Sequence, residues 1–499
     1  MKKTIIFLTL LAMVALPASA MAAKTGDFEI GGYIKFHTWW DSTSTISKDM
    51  ISVNSRNNDV VGVIPGSVPG TGPTFTASTR QLTQGRWQFT ARNTRLNFKI
   101  KGPDVLGAKT QGFLEIDFDG SGLIVSNSIT TPMTPRLRHA IFRFDWPGGW
   151  QLMMGQYWGL TQNFWPDTVQ HGPLLAHGMP LQRVPQVRVS YSPGPWTFTA
   201  MACAPEDSAD NAVGPVQNVF GTFWLPGTGA LPGQRATIPQ LQASVQYEKD
   251  LWGKAAFFGK PRGFAANVVA CVQRSKYDGG ATGAATWGQN DYAGAFNIIE
   301  RSQTLTPWYV QATMFIPVLP TQTKDLKGTA SLQVQAYVGQ GLRAFGNEVL
   351  TAANSSNSYF VYDSFGNQNV ALGNANTYRR KLMKRYGGYA QAQYWFNNQW
   401  YMSYLFGFGK AFDVNYDRNP VLANALVNPG GYEFATTTDL VRDIFEHNVT
   451  LFYRPSANFK FGLAYVYLKT TYFQRATKGS QVDDVGENHR IQFAGWFYF

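Results

Sequence analysis

Apolar residues recur at every second position in stretch after stretch of this chain, and a period of two commits those stretches to β-structure with unlike faces. From His489 to Phe499, Ile491, Phe493, Phe497 and Phe499 share one parity, while Arg490, Gln492 and Ala494 share the other. Residues 109–119 set Gln111, Glu115, Asp117 and Asp119 against Leu114, Ile116 and Phe118. Residues 240–248 set Gln242, Ser244 and Gln246 against Leu241, Ala243, Val245 and Tyr247. The same holds for Gln333 and Gln335 against Leu332, Val334, Ala336 and Val338, and for Gln391 and Gln393 against Ala390, Ala392, Tyr394 and Phe396. In a soluble sandwich the polar face would be rich in Lys and Glu. A glutamine-rich polar face opposite an aromatic one fits an all-β transmembrane antiparallel barrel, apolar outside and wet inside.

The N-terminus supports export. Lys2 and Lys3 precede an apolar run from Ile5 to Leu16, and Ala18-Ser19-Ala20 provides a small-residue cleavage site. This reads as a signal peptide over residues 1–22, cleaved after Ala20 or Ala22, with residues 23–499 forming one barrel domain. No later stretch approaches the roughly 18 uninterrupted apolar residues of a membrane-spanning helix. Aromatics make up 15% of the chain and charged residues only 15%, whereas soluble domains carry about 25% charged residues. The net charge is +12, or +10 once Lys2 and Lys3 are removed. Behind a signal peptide that excess argues against nucleic acid. It fits either contact with anionic lipopolysaccharide or a basic lumen that favours anions.

Breaks between the alternating stretches are short and long in turn. Short ones are Gly102–Ala108, Pro147–Gly149, Pro193–Pro195, Asn397–Gln399 and Pro455–Ala457. Long ones fall near 42–85, 120–135, 159–185, 205–238, 277–306, 343–384, 413–440 and 471–487. Short periplasmic turns and long external loops are the asymmetry of outer-membrane barrels, and eight long connections imply sixteen strands. The strands fall near 28–41, 87–101, 109–119, 136–146, 150–158, 186–192, 196–203, 240–248, 264–276, 307–317, 329–342, 385–396, 400–410, 441–454, 458–470 and 488–499. Residues 250–263 fit either a long turn or a broken strand. The two cysteines, Cys203 and Cys271, fall on strands separated by another strand. Second-neighbour strands lie about 9–10 Å apart, too far for a disulfide.

Arg95-Leu96-Asn97-Phe98-Lys99-Ile100-Lys101-Gly102-Pro103, then Leu106-Gly107 and Leu114-Glu115, resembles the opening of sixteen-stranded general porins. Gly32-Tyr33-Ile34-Lys35, Arg136-Leu137-Arg138-His139-Ala140 and Gly155-Gln156-Tyr157-Trp158 resemble the DcaP-like porins. So do Phe258-Gly259-Lys260-Pro261-Arg262-Gly263 and Phe315-Ile316-Pro317 followed by Gly339-Gln340-Gly341. The resemblance covers most of the mature chain and implies a homotrimeric outer-membrane channel for small anions, especially dicarboxylates, working without a cofactor. The helical N-terminal extension of some relatives is missing, so trimer contacts are left to the barrel wall. The terminal Phe499 resembles the signal read by the barrel-assembly machinery.

By position, 159–185 matches the porin loop that folds inward. It carries Phe164, Trp165, Asp167, His171, His177 and Arg183, and so is the expected constriction. The connection 343–384, with Arg379, Arg380 and Lys381, stands next in line. The expected anion-facing wall is Arg95, Lys99, Arg136, Arg138, Arg188, Arg385 and Arg490. Arginine suits this work because its planar fork holds a carboxylate with two hydrogen bonds. Arg86 and Arg92 have the wrong parity relative to Arg95 unless a bulge intervenes.

Glu115, Asp117 and Asp119 share a strand face and are read as lumen residues paired with basic neighbours, not as a catalytic pair. The six histidines show no metal spacing, and no Gly-x-Ser-x-Gly elbow occurs. The expectation is therefore a passive channel and not an enzyme. Its alternatives are an unselective general porin or a structural or adhesive surface protein. Connections of about 15–45 residues leave the last little room.

Overall fold

The computed structural model describes residues 27–43, 85–120, 134–162, 164–170, 182–205, 238–277, 303–345, 384–412, 441–472 and 485–499, together with short paired segments inside the long connections. The signal peptide expected at 1–22 lies outside them.

The alternating stretches pair edge to edge into a single antiparallel sheet of sixteen strands. These are β1 (Phe28–Asp41), β2 (Arg86–Thr90 continuing as Arg95–Lys101), β3 (Lys109–Asp117), β4 (Arg136–Asp145), β5 (Trp150–Trp158), β6 (Arg183–Tyr191), β7 (Trp196–Cys203) and β8 (Gln240–Lys249). They continue as β9 (Phe264–Val272), β10 (Trp308–Leu319), β11 (Ala330–Gln340), β12 (Lys384–Trp395), β13 (Trp400–Phe412), β14 (Val441–Tyr453), β15 (Phe459–Tyr472) and β16 (Val485–Tyr498). The sheet closes through β16 and β1, in register from Tyr33 opposite Tyr498 to Asp41 opposite Arg490. Closure leaves no strand edge unpaired, which is what lets a sheet cross lipid.

Side chains sort as the pleat requires. Ile34, Phe36, Trp87, Phe89, Leu463 and Ile491 are exposed on the outer face. At the short-turn end the outer face carries stacked aromatic pairs, Trp150 on Tyr191 at 4.6 Å and Trp400 on Tyr453 at 4.4 Å. These form the aromatic girdle that such barrels place at the membrane interface. The inner face buries Gln242, Gln311, Gln333, Gln391, Asn448 and Gln492.

Two irregularities re-aim side chains. On β2, Thr90 lies opposite His37 and Arg95 opposite Tyr33, so five steps on β2 answer four on β1. That extra residue reverses the parity, and both Arg86 and Arg95 sit opposite inward-facing residues of β1. On β4 the register shifts between Glu115 and Ile116, leaving Arg138 with no residue opposite. Arg136, Arg138 and His139 therefore all turn toward the lumen, as a bulge permits.

The sixth strand, expected at 186–192, starts earlier, because β6 begins at Arg183. Pro185 lacks an N–H but its carbonyl still accepts from Ala204 N at 2.9 Å, so it is tolerated near the strand start. The ambiguous stretch 250–263 contains a small hairpin, Ala255–Phe257 paired with Lys260–Arg262. Cys203 and Cys271 are buried and free.

At the closing seam Arg490 grips Asp41 with two hydrogen bonds of 2.6 and 2.8 Å, both residues fully buried. Removing one member of a buried pair costs about 3–5 kcal/mol, because the other is left uncompensated. Arg490→Met is expected to lower the temperature at which the folded gel band converts to the unfolded one. A variant that converts at the parent's temperature would show that the pair does not hold the seam.

Candidate functional site

Beyond β5, residues 159–162 and 164–170 lie inside the barrel. Leu160 N donates to Gln242 Oε1 of β8 at 2.9 Å, and Gln311 Nε2 of β10 donates to the Thr161 carbonyl at 3.2 Å. Tyr389 OH of β12 donates to the Phe164 carbonyl at 3.1 Å. Gln391, also of β12, brackets Asp167: its Oε1 accepts from the Asp167 N–H at 3.0 Å and its Nε2 donates to the Asp167 carbonyl at 2.8 Å. A buried backbone needs partners, and a glutamine supplies both a donor and an acceptor. The glutamine-rich inner face thus carries the inserted segment.

Residues 167–170 lie against β1 and β13–β15. The Asp167 carboxylate accepts from Tyr401 OH at 2.7 Å and from Lys460 Nζ at 2.5 Å. Lys35 Nζ donates to the Val169 carbonyl at 2.9 Å, and Gln170 Nε2 to Glu446 Oε1 at 2.9 Å. Beneath it lies an aromatic floor in which Trp395 stacks on Tyr401 at 4.1 Å and Tyr401 on Phe452 at 4.7 Å. A Cβ added at Gly462 would come within 2.7 Å of Val169, so the absent side chain makes room for the segment. Farther up, Leu342 and Phe345, just after β11, are also buried inside, and the Ala344 carbonyl accepts from Gln240 Nε2 at 2.6 Å.

Strands β2–β6 carry the opposite chemistry. Arg138 donates to Glu115 at 2.6 Å and to Asp117 at 2.7 Å. Arg136 forks onto Asp117 at 3.0 and 2.8 Å and reaches Asp119 at 3.1 Å. Arg92 lies 3.3 Å from Asp119, and Arg95 3.9 Å from Glu115. Arg183 lies 5.0 Å from the centre of the Trp158 ring and Arg138 5.6 Å from it. Four guanidiniums therefore pair with three carboxylates, and Arg183 joins the cluster as a fifth cation over the Trp158 ring. Among the described residues, no carboxylate comes within ion-pair distance of Arg183, Arg188 or Arg385.

The expected site residues fall into distinct places. Arg95, Arg136, Arg138 and Arg183 are brought together. Arg188 faces inward on β6, donates to the Trp158 carbonyl, and lies 5.7 Å over the Tyr157 ring. Arg385 is buried on β12 and donates to the Val441 carbonyl at 2.7 Å. Arg138 and Arg490 are closed off, 1% and 0% exposed, so their charge acts through the wall and not by contact. Lys99 shares the inward parity of Arg95 on β2 but lies exposed near the short-turn end, 3.7 Å from Glu29. Of the loop residues, Phe164 is buried, Trp165 lies 5.3 Å from Trp158, and Asp167 is locked to Lys460 and Tyr401. His171 and His177 lie outside the described residues, as do the side chains of Arg379, Arg380 and Lys381.

Sequence reasoning set aside Arg92 and did not single out Lys35, Lys460, Tyr401 and Arg262. Arg92 was hidden by the bulge. Lys35 shares the parity of Tyr33, His37, Trp39 and Asp41, and that pattern was available to find it. Among the described residues no three of His, Cys, Asp and Glu converge as metal ligands.

No family model matches the chain, and no curated protein matches its sequence. Solved structures do. The crystal structure of the outer membrane channel DcaP of Acinetobacter baumannii superposes with a TM-score of 0.58, covering 96% of this chain and 100% of that one at 15% identity. The high-pH structure of Pseudomonas putida OprB gives 0.47 over 95% and 94% at 11% identity. An anion-selective porin from Comamonas acidovorans gives 0.46 over 95% and 100% at 8%. The likeness to DcaP covers nearly the whole chain, where the sequence resemblance covered most of the mature chain, and the chain has the sixteen-stranded barrel fold of the outer-membrane porins.

Proposed function

We propose that the protein is a passive diffusion channel of the bacterial outer membrane that favours small anions such as dicarboxylates, and that residues 159–170 narrow it. One observation carries the ionic preference: five guanidiniums face three carboxylates on β2–β6, and Arg188 adds a further cation with no carboxylate beside it. Eight strands on from β4 is β12, where the inserted segment is held, so a solute is confined between that segment and the arginines. In a space narrower than the Debye length of about 8–10 Å, salt does not screen the wall. We further infer a homotrimer in the membrane, exported with a cleaved leader.

The test uses Arg183 and Arg188, whose reversal orphans no carboxylate among the described residues. In a salt gradient the parent channel is expected to show a reversal potential of anion sign. Arg183→Glu combined with Arg188→Glu should lower the chloride-to-potassium permeability ratio by on the order of tenfold. An unchanged ratio in the double variant would place the selective field elsewhere, and a parent with no preference would leave an unselective porin.

A further inference from the structure

The turn between β8 and β9 is built unlike the other short turns. Ala255–Phe257 and Lys260–Arg262 form a hairpin that bends back beneath the inserted segment. The Ala256 carbonyl accepts from Ser331 Oγ at 3.3 Å at the base of β11, and Ala255 and Ala256 are fully buried. Phe257 packs edge-on against Phe315 of β10 at 5.4 Å and against Phe164 of the segment at 6.4 Å. Arg262 lies over Phe257 at 4.4 Å and Phe164 at 4.6 Å, while its guanidinium forks onto Glu248 at 3.1 and 2.7 Å. The tip reaches the far side of the mouth, where Arg454, between β14 and β15, donates to the Phe258 carbonyl at 3.1 Å.

The tip is also conformationally unusual. Phe258 has φ 51° and Gly259 φ 75°, the left-handed pair that a two-residue hairpin turn requires. Glycine adopts it freely, whereas a bulky aromatic does so only where the surroundings hold it. Phe258 is 41% exposed, so burial does not account for it. Beside it Lys260 is exposed, and among the described residues no carboxylate lies within ion-pair distance of Lys260 or Arg454.

We propose that this hairpin is a second restriction of the channel, entered from the short-turn mouth, and that Lys260 at its tip sets the ionic preference there. It rests on the reading of the protein as a channel, but not on the anion preference of the arginine wall.

A charge at one mouth acts most when the salt on that side is dilute, since the screening length is roughly 30 Å at 0.01 M and 10 Å at 0.1 M. In bilayers where all channels insert in one direction, Lys260→Glu is expected to move the reversal potential toward cations. The shift should be about threefold larger with dilute salt on the short-turn side than with the gradient reversed. Replacing Ala256–Pro261 by Gly-Ser should abolish that sidedness and raise the single-channel conductance. Equal shifts in both directions, or no shift, would overturn the proposal, as would an unchanged conductance in the Gly-Ser variant. A parent without anion preference would refute the preceding reading yet leave the sided shift in place.

Discussion

Replacing residues 161–181 by a link of a few residues is expected to raise the single-channel conductance severalfold while the barrel still assembles. The ends are already together: Gly159 N donates to the Gln182 carbonyl at 2.8 Å, and Trp158 lies opposite Arg183 in the β5–β6 pairing. A short link therefore closes without moving either strand. The strand ladders owe nothing to the segment, so removing it takes away packing inside the lumen but no interstrand hydrogen bonds. The side chains it leaves behind, Gln242, Gln311, Gln391, Lys35 and Lys460, are polar and become hydrated once water fills the space. A sixteen-stranded barrel without a filling leaves a wide aqueous channel, and wall charges then act across screened water. The same variant should therefore lose most of its ionic preference. An unchanged conductance would mean that the narrowing lies elsewhere, with the hairpin at 255–262 and the inward turn at Leu342–Phe345 the remaining internal segments among the described residues.

The barrel was legible because its information is local. Alternation over ten residues reports which side is lipid, and the order of short and long breaks reports the strand count. What alternation cannot report is a change of its own phase. Arg92 was set aside because the extra residue between Thr90 and Arg95 reverses the parity, and nothing in Ala91-Arg92-Asn93-Thr94 announces a bulge without the partner strand β1 beside it. The β4 bulge did less harm, since Arg136 and Arg138 already bracketed Leu137 and the shift kept both inside. The arginines themselves were found by type and parity, and Glu115, Asp117 and Asp119 were read as pairing with basic neighbours, but which arginine meets which carboxylate was not legible. Arg138 and Arg490 are charges in the sequence and closed ion pairs in the fold. That distinction depends on Glu115, Asp117 and Asp41 coming from other strands. Asp167 is the reverse case: read as the lone acid of the loop, it is neutralised by Lys460, almost three hundred residues further along the chain.

The pair of Asp167 and Lys460 is expected to decide whether the segment stays in place. Asp167→Ala leaves the Lys460 ammonium buried without its carboxylate, a loss of about 3–5 kcal/mol for a broken buried pair. Part of that is offset by the rings around the ammonium, Phe452 at 4.2 Å, Trp496 at 5.3 Å and Tyr401 at 5.9 Å, since a desolvated cation over aromatic faces gains up to about 2 kcal/mol. The remainder, about 1–3 kcal/mol, matches what the hydrogen bond from Lys35 to Val169 holds, roughly 1.5–3 kcal/mol for a charged donor. The favoured outcome is release of the segment and entry of water, not unfolding of the barrel. Asp167→Ala should therefore flicker between the parent conductance and a higher level approaching that of the shortened variant. Lys460→Met should flicker less, because Asp167 keeps the Tyr401 hydroxyl at 2.7 Å. The double variant Asp167→Ala, Lys460→Met, with no charge left to bury, should be quieter than Asp167→Ala alone. That non-additivity is the mark of a direct pair, and single-channel noise measured on all four proteins reads it. If the double variant is as noisy as Asp167→Ala, the ion pair is not the latch. The hydrogen bonds from Gln391 and Tyr389 to the segment would then be what holds it.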